Sequence, residues 1–366
     1  MRGLLALKFS SILIQRPLFI CLSLGLFKDD MTHRYVYSVL TGLCAIFSIL
    51  IVYGFVQYEQ ALTVTVHVDT EYEFVEVPGP IQPIPYIKQI DSGWQKLGKA
   101  LFHSTLLSKD NTISCASCHN VHQGGEDGFP ISIGINGSLG DRNAPTVLNS
   151  VFSFRQFWDG RSATLAEQAV GPIHNPVEMG TDFQQVIQKL NRSQEFVDAF
   201  TQLGVNEITP DSVVRAIVTY EESLITPDAP IDLYVLGNQS ALTEQQKSGY
   251  EKFIGFGCVS CHQGVNIGGN LYQKIGRINV VPEKLLADKG RFNVTKNEND
   301  EFVFKVPSLR NIHQTAPYFH NGSVEKLEDA IRIMAIGQLG ITLTDQDVAD
   351  IMALFEAFSG QVAPEL

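Results

Sequence analysis

Apolar and polar positions along the 366 residues change period several times. Residues 4–27 are mostly apolar but are interrupted by Lys8, Gln15, Arg16 and Pro17. Residues 35–56 then form an uncharged run, long enough at about 20 residues for a helix to cross the hydrocarbon layer. Arg34 in front of it and Glu59 behind it predict a cytoplasmic N-terminus with the bulk of the chain exported. No small-residue cleavage site follows, so the run reads as an uncleaved anchor in preference to a cleaved signal. Residues 1–34 read as an N-terminal extension, since Met31 resembles a second start. Alternation at Val64, Val66 and Val68 predicts an extended arm. Pro78, Pro80, Pro83 and Pro85 then mark a stiff linker, so residues 57–86 are arm and linker.

Helical spacing begins with Ile90, Trp94, Leu97 and Leu101. It resumes over 183–200 and over 210–224, where Thr209 is a cap and Pro210 sits in the first turn. A last helix starts at Thr344, carries Val348, Ile351, Phe355 and Phe358 on one side, and stops at Gly360. Residues 124–140 are too glycine-rich for a long element, and Pro227, Asp228 and Pro230 make a break. The expected fold class is mainly α, with two domains at 87–228 and 229–366 preceded by a transmembrane helix.

Cysteine usage decides what the two domains carry. Cys115-Ala-Ser-Cys118-His119 returns as Cys258-Val-Ser-Cys261-His262, and the two copies use four of the six cysteines. Two cysteines separated by two residues and followed by histidine form the attachment signature of a c-type haem. The thiols suit thioether links to the vinyl groups, and the histidine is placed to ligate iron. A zinc or redox pair would not need two complete copies with their histidines. Residues 92–96 and 248–252 echo each other ahead of the motifs, and Thr243 with Gln246 predicts a capping box. Two related helix-then-haem modules follow, so the two expected domains are cytochrome c-like. Cys21 and Cys44 lie in the apolar N-terminal segments, so no structural disulfide is expected in the globular part.

Charge narrows the partners. Lys plus Arg number 27 against 39 Asp plus Glu, a net −12, which excludes nucleic acid and favours a basic electron donor.

What lies opposite each histidine separates electron transfer from catalysis. Met179, Met334 and Met352 are the candidate sixth ligands, with Met334 suitably downstream of the second motif. The first motif lacks an obvious downstream methionine apart from Met179, which points to an iron able to take peroxide. Peroxide cleavage needs a base near the iron and donors for the departing oxygen. Glu167, Gln168 and Glu178 are candidates that the residues alone do not separate.

From Lys96 to Gly360 the chain resembles the bacterial di-haem cytochrome c peroxidase family, which also contains the di-haem enzyme that matures methylamine dehydrogenase. The resemblance rests on both haem motifs and on residues 142–149, 156–161, 175–180, 307–311 and 316–323, with Met334 followed by Gln338-Leu339-Gly340. It implies a low-potential peroxidatic haem on Cys115, Cys118 and His119. It also implies a high-potential haem on Cys258, Cys261 and His262, with Met334 as sixth ligand. Glu178 matches the family's acid–base residue, Gln168 its partner and Trp158 the tryptophan between the haems. A calcium ion is implied near Asn143, Thr315 and Pro317, the last two offering backbone oxygens that suit a hard cation.

One position departs from the pattern. Many members keep a histidine that ligates the first iron in a segment resembling 132–134, whereas here Ile135 precedes Asn136 and Gly137. Isoleucine cannot bind iron; His122 is a candidate substitute, three residues past His119. The expectation is a periplasmic peroxidase tethered to the inner membrane, reducing hydrogen peroxide with electrons from a small cytochrome c or cupredoxin, with a homodimer allowed. The alternatives are a maturation-type enzyme, against which Met334 argues, and a non-catalytic electron carrier, which would not need Gln168 and Glu178.

Overall fold

The computed structural model describes residue 66 and residues 68–364. Nine helices of six or more residues are described, numbered α1 to α9 in chain order. The first is α1 (Ser92–His103), started by Asp91, whose carboxylate accepts from the backbone N–H groups of Gly93 and Trp94. The sequence pattern over 183–200 divides into α3 (Phe183–Leu190) and α4 (Gln194–Gln202). The division follows because Asn191 closes the first helix and Ser193 opens the next. Thr209 caps α5 (Pro210–Ser223) with proline at the first turn, and Thr243 with Gln246 boxes α7 (Glu244–Gly255), both as expected. Thr344 and Asp347 likewise box α9 (Asp345–Ala357).

Periodicity did not announce α2 (Leu165–His174), which contains Pro172, or the short α6 (Pro230–Val235) and α8 (Leu327–Met334). Proline in the last turn of α2 and the shortness of the other two hide their spacing. Among the described residues the strands form two antiparallel pairs: β1 (Glu71–Glu73) with β2 (Tyr86–Gln89), and β3 (Tyr272–Lys274) with β4 (Val303–Lys305).

The described residues form one unit with two main hydrophobic cores. The first packs α1 on α5 through Leu97, Leu101, Phe102 and Tyr220; the second packs α7 on α9 through Phe253, Leu354 and Phe355. The same device makes both crossings. A Cβ added at Gly98 would lie 1.9 Å from the Ala216 carbonyl oxygen, and one added at Gly249 would lie 2.1 Å from that of Asp350. Four residues on, Phe102 meets Tyr220 edge-on at 5.2 Å and Phe253 meets Phe355 at 6.0 Å. The two modules therefore correspond through Gly98-x-x-x-Phe102 and Gly249-x-x-x-Phe253. The local echo between 92–96 and 248–252 would have paired Gly93 with Gly249.

The proline run at 78–85 docks against the second core. Ile81 is fully buried in that core and pairs with Gly264, and Arg310 donates to the Gln82 carbonyl at 2.9 Å. At the chain break near 227, Thr226 joins the halves: its Oγ1 accepts from the side chains of Asn149 and Asn311, and its N–H donates to Asn149.

The fold class needs correcting at its N-terminal end. Among the described residues no helix is long and apolar enough to cross a membrane. The longest, α5, has 14 residues against the ~20 that a span requires. The run at 35–56, and with it the expected inner-membrane tether, lies outside the described residues. The described architecture is mainly α, without a membrane element.

Candidate active site

Both haem motifs fold into the same one-turn 3-10 helix. Cys118 and Cys261 donate their N–H groups to Cys115 and Cys258, and His119 and His262 donate to those same carbonyls at 2.9 and 3.0 Å. Burial pushes the Cys115 thiol up to about 12 and those of Cys118 and Cys258 to about 11. A redox-active C-x-x-C needs a lowered thiol pKa, and these three thiols shift the other way. Each histidine is oriented from behind: Nδ1–H of His119 donates to the Gly125 carbonyl and that of His262 to Ile267, both at 3.2 Å. A carbonyl can only accept, so Nε2 is left with its lone pair for a metal. Burial lowers both imidazole pKa values, that of His262 to about 4, favouring the neutral ligand form.

An apolar cavity of about 270 Å³ opens at the second motif. Cys258, Cys261, His262 and Met334 all line it, so the expected axial pair borders one space that suits a haem. Met334 ends α8 and runs directly into a π-helical turn, Ala335–Leu339, a local irregularity often found where a functional side chain is re-aimed. Gly340, left-handed at φ 71°, closes that turn. The other two methionines pack elsewhere: Met179 is buried in the first core and Met352 lies against the second.

Around the first motif the structure separates the three polar candidates. Glu167 is used by its own helix start, where its carboxylate accepts from the Ala163 N–H at 2.6 Å. Glu178 sits on a loop folded back over the C-terminus of α2, with Met179 N–H on the Pro172 carbonyl and Gly180 N–H on Asn175. Asn175 donates its side-chain N–H to Glu178 Oε1 at 2.7 Å. Burial raises the Glu178 pKa, while the Asn175 hydrogen bond and the Arg161 charge oppose that rise. Gln168 is half-buried on α2, and no hydrogen bond joins it to Glu178 among the described residues.

Ile135 is 4 % exposed and lies against this loop. Its N–H donates to the Glu178 carbonyl at 2.9 Å, and a Cβ added at Gly180 would meet its Cδ1 at 2.4 Å. His122 is exposed. The glycine-rich segment is thus anchored to the acid it flanks.

Trp158 contacts residues from both modules. Its Nε1–H donates to the Asn143 carbonyl at 3.0 Å, its ring meets His320 edge-on at 6.2 Å, and His320 stacks on Phe304 at 4.1 Å. Trp158, His320 and Phe304 all line the cavity of the second motif, as do Asn143, Thr315 and Pro317. Arg142 pins the same turn by bridging Asp159 and Asp288 at 2.5 and 2.6 Å. Sequence reasoning missed Arg161, whose guanidinium rests 3.4 Å from the centre of the Phe157 ring, and it missed Asn175 as the donor to Glu178. The Asp159-Gly160 pair was the available signal, because it folds residues 156–162 into a tight bridged turn.

A family signature described as di-haem cytochrome c peroxidase matches residues 93–240. The cytochrome c551 peroxidase of Pseudomonas aeruginosa is 46 % identical over 272 residues, 73 % of this chain and 79 % of that one. The chain belongs to the di-haem cytochrome c peroxidase family.

The cytochrome c peroxidase Ccp of Escherichia coli is 43 % identical over 288 residues, 78 % of this chain and 62 % of the longer relative. A solved MauG-like protein associated with microbial copper homeostasis superposes with TM-score 0.68 at 25 % identity, over 79 % of this chain and 95 % of that one. As a member of this di-haem peroxidase family, the protein carries two c-type haems and is an oxidoreductase acting on peroxide.

Proposed function

We propose that hydrogen peroxide is reduced at the haem held by Cys115, Cys118 and His119, with electrons received at the haem held by Cys258, Cys261, His262 and Met334. When bound, the haems supply redox-active iron, one to peroxide and the other to the donor. Glu178 holds and moves the proton: as carboxylate it takes a proton from peroxide, and as acid it returns one to the departing oxygen. Gln168, on the helix that precedes the Glu178 loop, is a donor for the oxygen on which charge develops. Trp158 fixes the contact between the halves through Asn143 and His320. The donor in this reading is a small cytochrome c or cupredoxin, and two copies of the chain form the working unit. Asn143, Thr315 and Pro317 hold a calcium ion; the Asn143 side-chain N–H donates to Phe129, which leaves its Oδ1 for a cation.

The observation that carries this reading is the half-buried Glu178 carboxylate, fixed by Asn175 on a loop packed against Ile135. Glu178→Gln keeps the shape and removes the proton exchange, so peroxide turnover falls about 100-fold or more with haem content unchanged. Equal steady-state turnover of wild type and variant would place the acid–base group elsewhere.

A further inference from the structure

The cavity at the second motif contains a cation that the reading above does not use. Lys305, the last residue of β4, is 9 % exposed and lines this cavity. Its N–H donates to the Trp158 carbonyl at 2.8 Å, so its backbone is tied to the aromatic contact between the halves. Among the described residues its ammonium has no carboxylate partner, and burial alone lowers its pKa, to about 8. An unpaired buried charge is costly, by several kcal/mol in general, and persists where something compensates it. The cavity offers further polar atoms in the same condition: Ser150 Oγ and His320 Nε2 line it, buried and without hydrogen-bond partners. A c-type haem brings two carboxylates of its own, and these face the same problem in an apolar cavity.

We propose that Lys305 is the counter-ion of a haem propionate in this cavity, a positioning residue that raises the reduction potential of that haem. It rests on the two-haem reading given above. Reduction lowers the charge of the haem by one, and a fixed cation nearby favours the reduced form. The cavity is bordered by His262 and Met334 and also by Pro145 and Thr146 of the first module, so the propionate belongs to one of the two haems.

The test is spectroelectrochemical titration of the purified di-haem protein, comparing wild type, Lys305→Met and Lys305→Arg. The expected result is that Lys305→Met shifts one haem's reduction equilibrium about tenfold toward the oxidised form, 59 mV for a one-electron couple. Lys305→Arg should restore most of that shift. A shift in the His/Met couple assigns the propionate to the second haem, and a shift in the other couple assigns it to the first. If Lys305→Met does not retain both haems, Lys305→Arg with two haems and wild-type potentials still supports the charge pairing. Unchanged potentials in Lys305→Met, or equal loss of haem or potential in both variants, overturn it. A wild type without any His/Met haem would instead overturn the reading on which it rests.

Discussion

Glu178 shows how little separates a surface acid from a proton-transfer group. Its side chain differs from that of Glu167 only in where the backbone puts it, and burial then raises its pKa above the ordinary carboxylate range. Turnover that depends on its carboxylate form rises with pH through that raised pKa. Asn175→Ala removes a hydrogen bond that favours the charged form, so the acid limb of the kcat/KM profile moves to higher pH. A pH–rate profile of wild type and variant checks this, and an unmoved limb would detach Asn175 from the proton step. Ile135 carries the other residue-scale prediction. Its side chain has no lone pair, so the oxidised protein gives one high-spin signal in electron paramagnetic resonance and reacts with peroxide before any reductant is added. Ile135→His converts that signal to low spin and makes the reaction wait for an electron. Two low-spin signals in the wild type would mean that another side chain binds the first iron.

At the scale of elements, each module depends on one close helix crossing. Gly98 lets α1 reach the backbone of α5, and Gly249 lets α7 reach that of α9. A methyl group at either position collides with a carbonyl oxygen, which cannot rotate away as a flexible side chain would. Gly98→Ala should therefore cost about 1–3 kcal/mol, the usual range for overpacking. The measurement is a denaturant midpoint, with Gly93→Ala as comparison: its added methyl meets side chains and no backbone, the flexible end of Leu203 at 2.5 Å and Asp91 Oδ1 at 3.3 Å. Equal losses in the two variants would show that the crossing is not specially tight.

For the whole molecule, a buried ion pair joins segments far apart in sequence. Arg310 and Asp232 meet at 2.7 Å with almost no exposure, and Arg310 also holds Val265 and the Gln82 carbonyl of the proline run. Burial raises the Asp232 pKa and lowers that of Arg310, so each charge alone is unfavourable in this place. Asp232→Ala leaves the guanidinium buried and unpaired, and stability should fall by about 3–5 kcal/mol. Equilibrium unfolding monitored by far-ultraviolet circular dichroism reads this loss. A loss under about 1 kcal/mol would show that the guanidinium reaches water or another acceptor.

What was legible in the sequence alone was what depends on neighbours along the chain. The two C-x-x-C-H motifs, the caps at Thr209, Thr243 and Thr344 and the family are of this kind. Each rests on a short spacing whose geometry is the same wherever the segment folds. The transmembrane helix expected at 35–56 was drawn from local hydropathy, and no helix of that length occurs among the described residues. The tertiary structure decided what depends on contacts across the chain. It set Glu178 apart from Glu167, joined Ile135 to the Glu178 loop, and placed Met334 in the same cavity as His262. It also docked the proline run on the second core, and buried Lys305 behind Trp158. These arrangements could not be read locally, because burial and pairing are properties of the space around a side chain, and distant segments create that space.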